Sequence, residues 1–576
     1  MTKEAKKMKR TKKTKAQSLL NYALFIGVLI LINVIGNYYY GRIDLTEEKR
    51  FTLTPATKNL LKSLDNDVTV EILLDGEFPA GFKRLQKGTK EILQDFRANS
   101  SFIHFYFNDP NIGSVEEINE TRKALSERGI SPVRLMVKDK DGSSEKLIYP
   151  VAVIHYGSRA TIVNLLENSN PSLNPEIALN NSISLLEYKI ASAIQKLKAN
   201  SKPNIVFLQG HGELPALAFK DLDMTLSKNA NVAFLNIDTM VVLPKQIDIV
   251  MIARPQGAFS EKEKFVLDQY IMNGGKVIWM IDKLVVSLDS LGHTGKYVPY
   301  DYQLNLRDQL FKYGVRIQPN MVLDLECARI PLRVGQVGNA PQLDLFGWYY
   351  WPTVLPASTN PIVKSLDRVW MRFGSTIDTL KTKTNIKKTV LLASSKYSRT
   401  QFIPTEIGFE ILRYKPKPEK FNKGPQPMAV LLEGEFPSLF EDRVSQEMQR
   451  GLDSLKYTFR PRSVSTKMIV ISDGDIIRND VNYRTKAHEP LGLNRFEKSG
   501  ITYANKDFIL NAVEYLLEDK GIISARSKDV KLRLLDTVKA EKEKTKWQLI
   551  NIVLPLVLLA LGGLVYGFIR RRRFGA

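Results

Sequence analysis

Hydrophobic and polar positions divide this chain into apolar ends and an alternating middle. Near each end an apolar run continues beyond the length of an ordinary core element: Leu19 to Ile35, within "SLLNYALFIGVLILINVIGNYYY", and Trp547 to Ile569, "WQLINIVLPLVLLALGGLVYGFI". Each is near the length that crosses a bilayer as a helix. Tyr38, Tyr39 and Tyr40 suit an interfacial aromatic belt, and Pro555 is tolerable inside a lipid-embedded helix. A buried core helix is the competing reading for both runs; the first carries Asn21 and Asn33 near its ends.

Between the ends the pattern predicts two α/β domains. From residue 43 to 166, strand-like segments such as "VTVEILLDGEFP" and "FIHFYFND" alternate with helical spacing in "RLQKGTKEILQDFRAN". The polar stretch "ENSNPSLNPE" closes that domain, and residues 175–200 show apolar positions at helical spacing, which predicts a connecting helix. From 201 to 525 a β-then-α rhythm follows: "NIVFLQ", "VAFLNID", "IDIVMIARP", the helix "SEKEKFVLDQYIMNGG" and "KVIWMID", resuming in "KKTVLLASS", "PMAVLLEGEFPSLF", "KMIVISDGDIIRND" and "NKDFILNAVEYLLED". Continuous apolar runs mean strands covered on both faces, and the alternation predicts a doubly wound parallel sheet. Ser260 followed by Glu263 fits a capping box, and Gly274-Gly275 fits a helix stop. The near-repeat "LLDGEFPAGF" and "LLEGEFPSLF" shows no fixed period and reads as chance or local turn chemistry.

Charge changes the picture by orienting the ends. The net charge of +22 invites a nucleic-acid reading, yet "MTKEAKKMKRTKKTK" carries eight Lys/Arg against one Glu and "RRRRFGA" carries four Arg, so the two tails hold half of the excess. The rest shows no nucleic-acid-binding signature, and no nucleic-acid partner is expected. The positive-inside bias places a basic tail, residues 1–17, in the cytoplasm before a first span at 18–40, with the body outside. A second span at 547–569 then returns an Arg-rich tail, 570–576, to the cytoplasm. The lysines of "VKAEKEKTKW" oppose that order, but long domains translocate largely regardless of charge. No small-x-small cleavage site follows Ile35, which favours an uncleaved anchor over a signal peptide. The single cysteine, Cys327, cannot form an internal disulfide.

Three segments are candidates for chemistry. "QGHGE" places Gly210, His211, Gly212 and Glu213 at a strand exit ahead of a helix, where parallel sheets hold ligands. A nucleophile elbow there needs Ser or Cys at its apex, and the apex is His211; ligand or partner contact and a purely structural turn stay open. "SDGDIIRND" offers Asp473 and Asp475 as Mg²⁺ ligands, against the turn chemistry Asp and Gly usually serve. "FGWYYWPTVLP" clusters Trp348, Tyr349, Tyr350 and Trp351, which suit either a contact surface or a core edge. No stretch matches G-x-x-x-x-G-K-[ST], so if the chain joins an ATP-driven machine, another chain supplies the hydrolysis. No catalytic residue, metal or cofactor is expected.

The order of "RIDLTEEKRFTLTPATKNLLKSL", "VTVEILLDGEFP", "FLQGHGE", "DQYIMNGGKVIWMID", "WPTVLPASTNPIVKSL", "EGEFPSLF" and "ISDGDIIRN…NKDFILNAVEYL", closed by the last apolar run, resembles GldG, the gliding-motility subunits of Bacteroidetes among ABC-transporter auxiliary proteins. The resemblance implies a non-ATPase subunit of an inner-membrane complex, with a separate permease and a separate ATPase as partners and its bulk in the periplasm. It further implies that the second domain is glutamine-amidotransferase-like without that fold's cysteine nucleophile after Gln209. A periplasmic ligand-binding component, or an amidotransferase-like hydrolase, is the alternative.

Overall fold

A computed structural model describes residues 21–32, 52–139, 142–167, 175–199, 201–444, 446–454, 457–497, 501–518, 521–527 and 537–574. The chain divides into two units, Met1–Lys528 and Asp529–Ala576.

The first unit opens with an apolar helix, Asn21–Ile32, shorter than a membrane span; the remainder of the expected first span, and the basic tail, lie outside the described residues. A first lobe follows: α1 (Pro55–Lys62), β1 (Val68–Ile72), α2 (Ala80–Asn99), β2 (Ile103–Phe107), α3 (Val115–Glu127), a hairpin of β3 (Val133–Asp139) and β4 (Gly142–Ile148), β5 (Val151–Tyr156), β6 (Arg159–Asn164) and the long α4 (Pro175–Lys198). Its main sheet runs β2-β1-β5-β6, with β1 parallel to β2 and antiparallel to β5. Strict alternation makes β1: Val68, Val70 and Ile72 are buried, Thr69 and Glu71 only partly. Helical spacing makes α2, which turns Phe82, Leu85, Leu93 and Phe96 onto the same core as Leu186, Ile190 and Ile194 of α4. At about 1.5–3 kcal/mol per buried aliphatic side chain, such a stripe is what holds a helix to its sheet.

The second lobe contains β7 (Asn204–Gln209), α5 (Lys220–Ser227), β8 (Asn231–Asn236), β9 (Ile249–Ala253), α6 (Glu261–Met272), β10 (Lys276–Met280), α7 (Arg307–Tyr313), β11 (Cys327–Val337), β12 (Ala340–Pro356), β13 (Lys387–Ala393), β14 (Pro427–Gly434), β15 (Thr466–Ile471) and α8 (Asn505–Leu517). One ten-stranded sheet joins them in the order β11-β12-β13-β14-β15-β10-β9-β7-β8, with the short strand Val369–Trp370 paired to β12. β8, β7, β9, β10 and β15 are mutually parallel. Along them, alternate residues face opposite layers. Ile205, Phe207, Met251 and Ile278 pack with Leu222 of α5 and Phe508 of α8; Val206, Val250, Val277 and Trp279 pack with Val266 and Leu267 of α6 and Tyr313 of α7.

The expectation of a wholly parallel sheet is corrected by its other half. β14 is antiparallel to β15, β13 to β14, β12 to β13 and β11 to β12. The physical reason is that a continuous apolar run reports burial on both faces and carries no information on strand direction.

Helix α6 starts and stops where its sequence signals place it. Ser260 and Glu263 form the capping box, and Gly274 follows the C-cap Asn273 with φ 94°. Inside α6 a buried carboxylate acts as a knot: Asp268 accepts hydrogen bonds from Ser438 Oγ (2.6 Å), Leu439 N (2.8 Å), Tyr313 OH (2.9 Å) and Gln269 Nε2 (3.1 Å). It thereby ties α6 to α7 and to the segment leaving β14.

The second unit contains α9 (Thr537–Phe574), within which Glu543–Arg572 is long and apolar enough to cross a membrane, with Pro555 inside it.

Candidate functional site

The five parallel strands stand in the spatial order second, first, third, fourth, fifth, so the chain reverses its direction of travel between β7 and β9. Crevices at such reversals, outside the carboxyl ends of the strands, are where open α/β sheets bind ligands. The turn after β7 lies there. Gly210 and Gly212 take φ of 126° and 72°, values that side chains disfavour, and a Cβ on Gly210 would stand 2.8 Å from Asn236 Oδ1. The two glycines fold the chain so that the His211 carbonyl accepts both Gln256 N and Gly257 N at 2.8 Å.

The imidazole of His211 is buried, 6% exposed, and stacked on Phe259 with ring centroids 3.7 Å apart. Glu213 holds its own turn: one carboxylate oxygen accepts His211 N at 2.7 Å and the other contacts Nδ1 at 3.3 Å. On the far side of the ring, Nε2 lies 3.3 Å from Glu263 Oε2. That oxygen also accepts Ser260 N and Ser260 Oγ, each at 2.7 Å. Asp238, exposed beyond β8, completes a group with His211 and Glu263 whose ligand-type atoms all lie within 4.8 Å of one another.

Electrostatics follow from this packing. Burial pushes the His211 pKa down, but Glu213 and Glu263 outweigh it and leave it raised. Burial would raise Glu263; hydrogen bonds from Asp238, Ser260 and His211 more than offset it and hold the carboxyl at about 2. The shared hydrogen bond with Glu263 is the first reason that Asp238 is held above the usual carboxylate range. Ser260→Ala removes both the helix cap and one of the donors to Glu263, so we expect a loss of about 1 kcal/mol, read as a lowered thermal midpoint.

This arrangement does not assemble an acyl-transfer triad. Glu213 orients Nδ1 as the third member of such a triad would, yet Nε2 meets a carboxylate where a nucleophile belongs. Cys327, on β11, has its thiol pushed up to about 12 by burial, which leaves it protonated and unreactive at neutral pH.

The other sequence candidates take structural places. Trp348 and Tyr350 are fully buried and Trp351 nearly so, while Tyr349 is half-buried. Trp348 packs on Tyr350 (5.1 Å between centroids) and Phe409 (5.4 Å), and Trp351 on Trp370 (5.2 Å). Of the two readings left open, contact surface and core edge, burial decides for core at Trp348, Tyr350 and Trp351, which lie in the buried middle of β12, whereas its residues 341–344 are exposed. Asp473 accepts backbone N–H groups from Asp475 and Arg372, each at 2.8 Å. Asp475 faces Arg254 Nη1 at 3.4 Å and Arg478 Nη1 at 3.5 Å, so turn chemistry and ion pairing account for both carboxylates. Sequence reasoning missed Arg254 and Asp282, paired at 3.2 Å at the ends of β9 and β10. Arg254 sits at φ 55°, unusual for a side-chain-bearing residue, and no sequence signal marks it.

Fold and site together define a mixed α/β protein with a polar cluster at the strand ends and, among the described residues, one helix long and apolar enough to cross a membrane. The family model described as "ABC-type uncharacterized transport system" matches residues 202–512, and the chain belongs to this family of ABC transport system auxiliary components. A second model, a domain of unknown function (DUF7088), matches residues 47–155. An uncharacterized protein of Borreliella burgdorferi is 22% identical over 97% of this chain and 99% of its own length. Among solved structures, the chain is similar to the mmIFT52 N-terminal domain, with 12% identity and a TM-score of 0.29 over 54% of this chain and 96% of that one. It is also similar to the exo-beta-1,4-mannosidase Op5Man5 from Opitutaceae bacterium strain TAV5, with 10% identity and a TM-score of 0.19 over 77% of this chain and 54% of that one. Likenesses so distant bear on neither fold nor function.

Proposed function

We propose that this chain is a non-catalytic, membrane-anchored subunit of an ABC transport system. Its α/β lobes would form a scaffold on the outer face, working beside a separate permease and a separate ATPase. The observation that carries this reading is membership in a transport-system auxiliary family, in a chain whose best-formed polar site offers Nε2 of His211 a carboxylate instead of a nucleophile. The apolar stretch Glu543–Arg572 supports an anchor. In its finer form the reading has two spans, 18–40 and 547–569, with both tails in the cytoplasm. Domains at 43–166 and 201–525, joined by 175–200, would then lie in the periplasm of a gliding bacterium. The order of motifs and the basic tails support that form, and the spatial order of the five parallel strands supports an amidotransferase-like relation for the second domain.

Cross-linking in intact cells, followed by affinity capture from detergent-solubilised membranes, tests the proposal. We expect an ABC permease and an ABC ATPase, identified by mass spectrometry, in fixed ratio to the captured chain. Capture of the full chain without either would overturn the reading.

A further inference from the structure

We propose that His211 Nε2, Asp238 and Glu263 form a binding site for one divalent transition-metal ion, with Glu213 as the residue that positions the imidazole. The three ligands come from three separate places that the fold alone brings together: the exit of β7, the exit of β8 and the first turn of α6. An ion with four tetrahedral ligands at about 2.0–2.1 Å holds them roughly 3.3 Å apart, and His211 Nε2 stands 3.3 Å from Glu263 Oε2.

The imidazole is prepared for this role. Glu213 contacts Nδ1 at 3.3 Å, so a ring proton held there would leave Nε2, on the side of Glu263, free to bind an ion. A metal-binding histidine characteristically gives its second nitrogen to a carboxylate in this way, which fixes both ring orientation and tautomer. Stacking on Phe259 removes the remaining freedom of the ring.

Charge argues in the same direction. Ligand atoms of Asp238 and Glu263 lie within 4.8 Å of each other and of the imidazole of His211, whose other nitrogen meets Glu213. Lys262 Nζ, nearby, bonds the Asp238 backbone carbonyl at 3.1 Å. A dication held between Asp238 and Glu263 would offset the repulsion of two neighbouring carboxylates. One imidazole and two carboxylates form a donor set suited to zinc, manganese or iron(II). Asp238 is exposed while His211 and Glu263 are buried, so the open coordination position faces solvent and would take water.

The test uses the full-length, detergent-solubilised chain, stripped with chelator and titrated calorimetrically with zinc sulfate alone. Cobalt(II) chloride then serves as a spectroscopic probe of coordination geometry. We expect one saturable equivalent of zinc and a visible absorption band from bound cobalt. Asp238→Asn should weaken zinc binding at least tenfold, and Glu213→Gln by about 10–100-fold. His211→Gln should abolish it. Asn at 238 keeps a donor to Glu263 and lies at the surface, so this variant decides the matter even if His211→Gln fails to fold. Absence of a saturable equivalent in the parent chain, or zinc bound by Asp238→Asn with unchanged affinity, would overturn the proposal. Capture of permease and ATPase by the metal-free chain is read separately, so this failure is distinguishable from failure of the transport reading.

Discussion

Asp268→Ala is expected to lower the unfolding free energy by about 3 kcal/mol, measured by denaturant titration of the full chain followed through tryptophan fluorescence. The mechanism is the desertion of donors. The Ser438 and Tyr313 hydroxyls can turn toward other acceptors, but the Leu439 N–H, fixed in the backbone and bonded to Asp268 at 2.8 Å, cannot. A buried donor left unpaired costs about 1–3 kcal/mol, and the space left behind adds to it. Asp268→Asn keeps one acceptor and should lose less. The pair of variants also carries a pH signature. Burial raises the Asp268 pKa, and the hydrogen bonds from Ser438, Leu439, Tyr313 and Gln269 only partly offset it. A group with a raised folded pKa contributes stability that is fully present below its unfolded value, about 4, and is lost as pH rises through the folded value. The parent chain should therefore lose stability over that window, and both variants should lose less. An equal slope in all three would show that Asp268 does not titrate as described.

Trp348→Ala is expected to cost about 3–5 kcal/mol, the range for removing a buried large aromatic. Tyr349→Ala, at a half-buried position of the same strand, should cost much less. The comparison separates the two roles that the aromatic run suggests. If the run were a docking surface, Trp348→Ala would leave the thermal midpoint unchanged and reduce recovery of the permease and ATPase. If Trp348 is core, the midpoint falls steeply. Trp348→Phe should be milder still than alanine, because the Trp348 indole Nε1 has no hydrogen-bond partner to abandon.

What the sequence made legible was local. The Ser260 and Glu263 spacing marked the start of α6, Gly274-Gly275 marked its end, and the apolar runs of β7, β9 and β10 marked strands buried on both faces. Each signal lies within a few residues of the structure it dictates. Strand direction was not legible in β13 and β14, because pairing partners remote in sequence decide it. The candidate site was half visible for the same reason. His211 and Glu213 stand together in one turn, whereas Asp238 and Glu263 reach them only after β8 and β9 have been laid beside β7. The aromatic run gave a position without a face: alternate residues of a strand point to opposite sides, and whether either side meets solvent depends on what packs there.

Helix α9 has a mechanical consequence. Thirty-eight residues, Thr537–Phe574, in one continuous helix extend about 57 Å at 1.5 Å per residue. The hydrocarbon layer is about 30 Å thick. If the stretch Glu543–Arg572 spans that layer, the rod exceeds it in length and would work as a lever, tilting of the apolar part swinging the lysine-rich turns before it through an arc. Any deformation that Pro555 does not absorb would arrive at Thr537 as displacement, so that a change of angle at one end of the helix becomes movement at the other.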